Sequence, residues 1–159
     1  MARTKRAAEA PKTDLQRLRD WLATYPGYDI LGNFRVDYTD QVAGGGGLYP
    51  QGLVEISRSE DILGNVTVRD QYNFGLYIAL PKAPGDDLGA EINADWLMDF
   101  QRWVQEQSVR GLAPTFGNAD LRAETIKANS GALYDADKEG MAVYMVTLSA
   151  EFATRYEVI

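Results

Sequence analysis

Histidine and cysteine are both absent from the 159 residues. Without histidine there is no Ser-His-Asp triad, no imidazole metal ligand, and no side chain that ordinarily exchanges protons near neutral pH. Without cysteine, disulfides, thiolate metal sites and thiol nucleophiles are excluded together, which suits a reducing cytoplasm. Long apolar runs are also missing: nothing approaches the roughly 20 residues a membrane helix needs. The opening Met1-Ala-Arg-Thr-Lys-Arg-Ala-Ala-Glu-Ala-Pro11 carries charges with no apolar stretch behind them, so it does not read as a secretory signal. Any catalysis would fall to carboxylates, tyrosine or lysine alone.

What is present suits one soluble domain. Hydrophobic residues make up 45% and charged residues 25%, enough apolar content for a single core. The net charge is −7, from 16 basic and 23 acidic side chains, unevenly spread. Residues 1–12 hold Arg3, Lys5, Arg6 and Lys12 against Glu9, a net +3, which leaves −10 on the rest. An acidic body repels phosphates, so a sequence-reading DNA-binding domain is not expected. The expectation is a flexible basic N-terminal arm over 1–12 and a single domain over 13–159.

Thr13-Asp-Leu-Gln16 reads as a capping box, followed by Leu15, Leu18 and Leu22 on one helical face, with Tyr25-Pro26-Gly27 as the stop. Ile30, Phe34, Val36 and Tyr38 then share one parity, as a strand with one wet face does. Asp40 to Pro50 reads as a loop around Gly44, Gly45, Gly46 and Gly47, and Leu53 to Arg58 as a short strand with Val54 and Ile56 on one face. From Val66 to Leu80 every even position except Asp70 is apolar, which predicts a long half-buried strand whose far end projects beyond the sheet or bends at Gly75. A second helix, capped by Asn93, would turn Ile92, Trp96, Phe100, Trp103 and Val104 onto the sheet. Leu121 to Asn129 is mostly polar and suits an edge strand. Ala142 to Phe152 alternates as the closing strand, its first part covered on both faces. The sum is α+β: a mostly antiparallel sheet of about five strands with two helices packed on it.

No chemistry-bearing constellation stands out. The glycine run lacks the Lys-Ser/Thr of a P-loop and the spacing of a dinucleotide fingerprint. It is instead expected to be disordered in a free subunit and to order against a partner. Asp86-Asp87, Glu60-Asp61 and Asp135/Asp137 fall in expected loops without recognised ligand spacing, and Asp135-Ala-Asp137-Lys-Glu139-Gly140 lacks the EF-hand order. They read as solvated turn carboxylates. Asp70 is costly on an apolar parity unless that part of the strand lies beyond the core or the carboxylate meets a cation, on this subunit or a neighbour.

The stretch Asp61-Ile-Leu-Gly64-Asn65 leading into Val66–Pro81 with Asn73-Phe74-Gly-Leu-Tyr77 resembles the central hairpin strand of tail-terminator and minor capsid proteins of long-tailed bacteriophages. A Trp-bearing helix and a closing strand around Tyr144-Met-Val146-Thr-Leu148 follow in the same order, so the resemblance spans about residues 13 to 157. It implies a structural virion protein, not an enzyme, without catalytic residues, cofactor or metal. Such a protein forms a homo-oligomeric ring, usually a hexamer, that ends tail-tube polymerisation and joins the tail to head-completion proteins. It would be assembled in the bacterial cytoplasm and sit at the head-proximal end of the tail. Its partners would be its own copies, the tail tube protein and a neck protein, with DNA only as passing cargo and no membrane. The interface candidates are Gly44, Gly45, Gly46, Gly47, Tyr49, Arg69, Asp70, Gln71 and Asn73. The rival expectation is a small-ligand-binding regulatory module with a pocket between the Trp helix and the sheet.

Overall fold

The computed structural model describes residues 11–27, 34–36, 46–81, 87–136 and 141–158. Most of the basic arm, Gly44, Gly45, Asp86 and Asp137 lie outside them, as does all of the expected Ile30–Tyr38 strand except its middle.

The Thr13 capping box forms as expected. The Thr13 hydroxyl accepts from the Gln16 amide at 3.2 Å, and the Gln16 side chain accepts from the Thr13 amide at 3.0 Å. Helix α1 (Asp14–Leu22) follows. It buries Leu18, Trp21 and Leu22, while Leu15 packs at the margin. Strand β1 (Phe34–Val36) is three residues long. Strand β2 (Gly46–Glu60) then turns at Asp61–Asn65 into β3 (Val66–Pro81).

Helix α2 runs Asp87–Val109. It starts well before Asn93, the expected cap, which is instead buried inside the helix at 5% exposure. Nothing from Asp87 to Ile92 stops a helix except the weak cost of Gly89, about 1 kcal/mol, which the rest of a long helix absorbs. Trp96, Phe100 and Val104 are buried, Trp103 is half-buried and Ile92 is 59% exposed. Each four-residue step rotates about 40° around a helix with 3.6 residues per turn. A row of such steps therefore cannot keep all its members on one face, and Leu97 fills the space instead.

After a short 3-10 turn at Leu121–Ala123 come β4 (Thr125–Ala136) and β5 (Met141–Tyr156). The sheet order is β1-β2-β3-β5-β4. The expected antiparallel sheet with two helices is there, but the count of about five strands resolves differently. Four long strands pair antiparallel, and β1 adds only a three-residue parallel rung at Gly46–Leu48. The polar 121–129 segment does supply an edge strand, and the more apolar β5 takes an interior position beside β3.

One face of the sheet is covered. Phe74, Leu76, Ile78 and Leu80 of β3 join Tyr144, Val146, Leu148 and Ala150 of β5, with Leu48 and Ile126, in one core with both helices. Trp21 stacks on Trp103 at 4.7 Å between ring centroids. Tyr25 meets Trp96, Phe100 and Trp103 at 5.5, 5.2 and 5.1 Å. These aromatics fill the helix–sheet interface where the rival reading would put a ligand. Val143 and Met145, on the other face, are half-buried, so double coverage of early β5 is partial.

Candidate interaction surface

Beyond Pro50 the β2–β3 hairpin leaves the cover of the helices. Every side chain from Gln51 to Leu63 is exposed, among them Leu53 at 53%, Val54 at 52%, Ile56 at 46%, Ile62 at 102% and Leu63 at 77%. Val54 and Ile56, expected on one face of a short strand, are both exposed in a longer one. Two bulges, at Gln51 and Ile56, break the alternation of β2. An extra residue in one strand re-aims its neighbours and bends the strand. Gly52 supports the first bulge with φ of 101°, a left-handed value that side chains rarely adopt. Among the described residues, the outer edge of β2 after Leu48 pairs with nothing.

The hairpin tip is nonetheless a built turn. One Asp61 oxygen accepts from Leu63 N at 2.8 Å and Asn65 N at 3.0 Å, and the other accepts from Asn65 Nδ2 at 3.2 Å. Burial pushes the Asp61 carboxyl up, but these bonds and Arg155 outweigh it and hold the group below its ordinary value. Asp61 is thus the organiser of the turn and not a solvated spare. Asn65 also accepts from Val158 N at 3.2 Å, and Gly64 takes φ of 85°. The Leu-Gly-Asn element therefore has a local job: it closes the turn and leaves Ile62 and Leu63 at the tip.

The sequence candidates separate by strand alternation. Gly46 and Gly47 are not loop: they pair with Ile78 and Tyr77 at the start of β2. Lacking side chains, they accept the β-conformation when a neighbouring strand is on hand, and that is what reading them as a loop missed. Tyr49 lies edge-on against Tyr77 at 5.1 Å. On the same uncovered face, Arg69 pairs with Glu151 at 2.7 Å, Gln71 Nε2 donates to Asn73 Oδ1 at 2.8 Å, and Ser149 donates to the same oxygen at 3.1 Å. The missing Cβ of Gly75 leaves room there for the Gln51 amide. Arg69, Gln71 and Asn73 so form one half-exposed polar ladder, and Asp70 points to the opposite face, where it is only 6% exposed. The idea that Asp70 lies beyond the core does not hold. β3 is also flanked on both sides, by β2 and β5, so among the described residues the unpaired edges are those of β2 beyond Leu48 and of β4.

Two further hollows exist. A cleft of about 490 Å³ lies between α1 and the 112–117 connection, where Arg17 donates to Thr115 O at 2.9 Å. A groove of about 670 Å³ runs between α2 and the β4 edge, lined by Met98, Arg102, Val109, Lys127 and others. Ser108 spans its floor by accepting from Ile126 N at 3.1 Å. Among the described residues no group of three or more acidic side chains is arranged to hold a metal ion, and no helix is long and apolar enough to cross a membrane. No family model matches this chain, and no curated protein is significantly similar to it.

Proposed function

We propose that this chain is a structural subunit of a phage-type tail terminator, a ring that ends tail-tube polymerisation and offers one face to head-completion proteins. The observation that carries the reading is the projecting hairpin: ordered at its tip, bearing the exposed aliphatic side chains of Leu53, Val54, Ile56, Ile62 and Leu63, and, among the described residues, unpaired along the β2 edge after Leu48. A strand left so is a template for another chain, and natural proteins blunt or cover such edges. In a closed ring each subunit covers the next one's edge, and nothing remains to aggregate. The chain's lack of histidine and cysteine fits a role without catalysis. The Leu63-Gly64-Asn65 turn and the Asn73-Phe74 strand supply the resemblance to that family.

The uncovered sheet face would line or flank the passage. Its ladder is charge-balanced, with Arg69 against Glu151, so a smooth polar wall, and not a strongly negative one, is what it offers to passing DNA. The test is to add the protein to polymerising tail tubes. Capped tubes of limited length, with the protein at one end only, support the reading; tubes that grow unchanged count against it.

The rival reading, a small-ligand-binding regulatory module, draws on the α2–β4 groove. A ligand seated there would raise the melting temperature in proportion to its binding, while leaving the association state unchanged.

A further inference from the structure

The sheet presents two different margins. In the order β1-β2-β3-β5-β4, β2 and β4 lie on opposite sides with β3 and β5 between them. The β2 side runs out into the hairpin tip, and the β4 side carries the groove of about 670 Å³ beside α2. Unlike surfaces on opposite sides allow a head-to-tail contact, whereas a two-fold pair needs one surface that matches itself.

The groove suits a compact turn better than a flat strand. Ile126 N donates to the Ser108 hydroxyl at 3.1 Å, so α2 stands against the β4 edge there. Lys127, the next residue, puts a charge on that edge, a usual guard against stray strand pairing. Met98 and Val109 give the groove an exposed apolar wall. Its two cations, Arg102 and Lys127, are exposed, and neither is in an ion pair among the described residues. The acids of α2, Asp87, Glu91, Asp95, Asp99 and Glu106, all lie outside the lining. A chain of net charge −7 thus keeps one cationic, partly apolar hollow beside its edge strand.

The hairpin offers the converse. Residues 51–65 hold Glu55, Glu60 and Asp61 against Arg58, a net −2. Arg58 is engaged by Glu55 at 2.7 Å, and Asp61 by its own turn and by Arg155 at 3.3 Å. Glu60 is left, exposed and in no ion pair among the described residues. Beside it Ile62 and Leu63 stand clear of the fold. The Asp61 hydrogen bonds hold this tip in shape before any contact, so docking it loses little conformational freedom. We propose that the hairpin tip of one copy seats in the α2–β4 groove of the next, with Ile62 and Leu63 against Met98 and Val109 and the Glu60 carboxylate facing Arg102 and Lys127. The proposal rests on the assembly reading above and names the surface that receives the hairpin.

The test is charge exchange in the full chain, read by sedimentation velocity across a concentration series. The tip variant is Glu60→Lys, and the groove variant is Arg102→Glu with Lys127→Glu. All three side chains are exposed, so both variants should keep the melting temperature of the unmodified protein. Each alone should associate about tenfold more weakly, and raised salt should weaken the unmodified protein as well. An equimolar mixture of the two variants should assemble again, because every tip then meets a groove of opposite charge. Assembly of either variant at the unmodified protein's concentrations overturns the proposal, and so does a mixture no better than its components. Loss of tail joining by the groove variant with self-association intact also overturns it, since the groove would then receive a different protein. Rings that form regardless of these substitutions sink this proposal and leave the ring reading standing. A rescued mixture that grows as open chains and leaves tail tubes uncapped does the reverse, and an unmodified protein that never associates overturns both.

Discussion

β3 is one continuous strand with two different lives. From Phe74 to Leu80 its apolar parity sinks under both helices, and the residues there are at most 4% exposed. From Val66 to Gln71 the same alternation continues, with Val68 and Asp70 still buried, but beside a β2 arm whose side chains are all exposed. The sequence period is identical in the two halves; what differs is the supply of covering elements. A 16-residue strand outruns a nine-residue helix laid across it, and a period-two pattern says only that a second layer is wanted. Whether that layer comes from the same chain or another is not written in the period.

The comparison is broken most severely in the covered half. Phe100→Ala should destabilise the protein by about 3–5 kcal/mol, the usual cost of deleting a buried large aromatic. Trp103→Ala, half-buried but stacked on Trp21, should cost about 2–3 kcal/mol. Denaturant unfolding reads both, and a loss below ~1 kcal/mol at either site would place that aromatic outside the core.

Gly117→Ala comes next. A Cβ there would collide with the Ala153 carbonyl, and backbone cannot yield as a side-chain tip does. We expect a loss of about 1–3 kcal/mol, together with loss of the Ala119–Ala153 bridge, visible as faster amide exchange of Asn118 and Ala119. Unchanged exchange would show that the connection can shift aside.

Glu124 sharpens the comparison through pH. Its Oε1 accepts from Gly117 N at 2.7 Å, but Oε2 is buried without a partner. Burial pushes its carboxyl above the ordinary value despite the hydrogen bonds that favour the charged form. A carboxyl whose folded pKa is raised holds its proton more tightly when folded, so its contribution weakens stability as pH rises through that window. Subtracting the melting-temperature profile of Glu124→Gln from that of the unmodified protein should show this decline as pH rises from the ordinary glutamate pKa through the raised folded one. A difference that is flat or rises with pH would contradict it.

The uncovered half was less legible in the sequence, for physical reasons. The capping box at Thr13, the long β3 and the order of elements could all be read, because local bonds and strict periods encode them. Trp21 and Tyr25 were readable too: with Leu18 and Leu22 they complete an i, i+3, i+4, i+7 face. The strand character of Gly46 and Gly47 was not, because glycine carries no pattern of its own. Nor were the bulges at Gln51 and Ile56, which reset the alternation of β2. Of the site candidates, Arg69, Gln71 and Asn73 converge on one ladder, while Asp70 sits on the opposite face by the same alternation.

Arg69→Glu should have the smallest effect on the monomer. The Arg69–Glu151 pair is more than a third exposed on each side, so reversing it should cost about 1 kcal/mol or less. Circular dichroism should be unchanged while tail joining weakens. Unfolding of the monomer would instead show that the ladder holds the sheet together.

The central claim is that the exposed β2 arm is an assembly surface, and sedimentation velocity across a concentration series tests it most directly. The unmodified protein should convert from monomer to one closed, discrete larger species. A full-length Val54→Lys, Ile56→Lys variant should remain monomeric with the same melting temperature, because both side chains are about half exposed. Assembly of the variant at the same concentrations as the unmodified protein, or an unmodified protein that stays monomeric both alone and with tail tubes, would contradict the account.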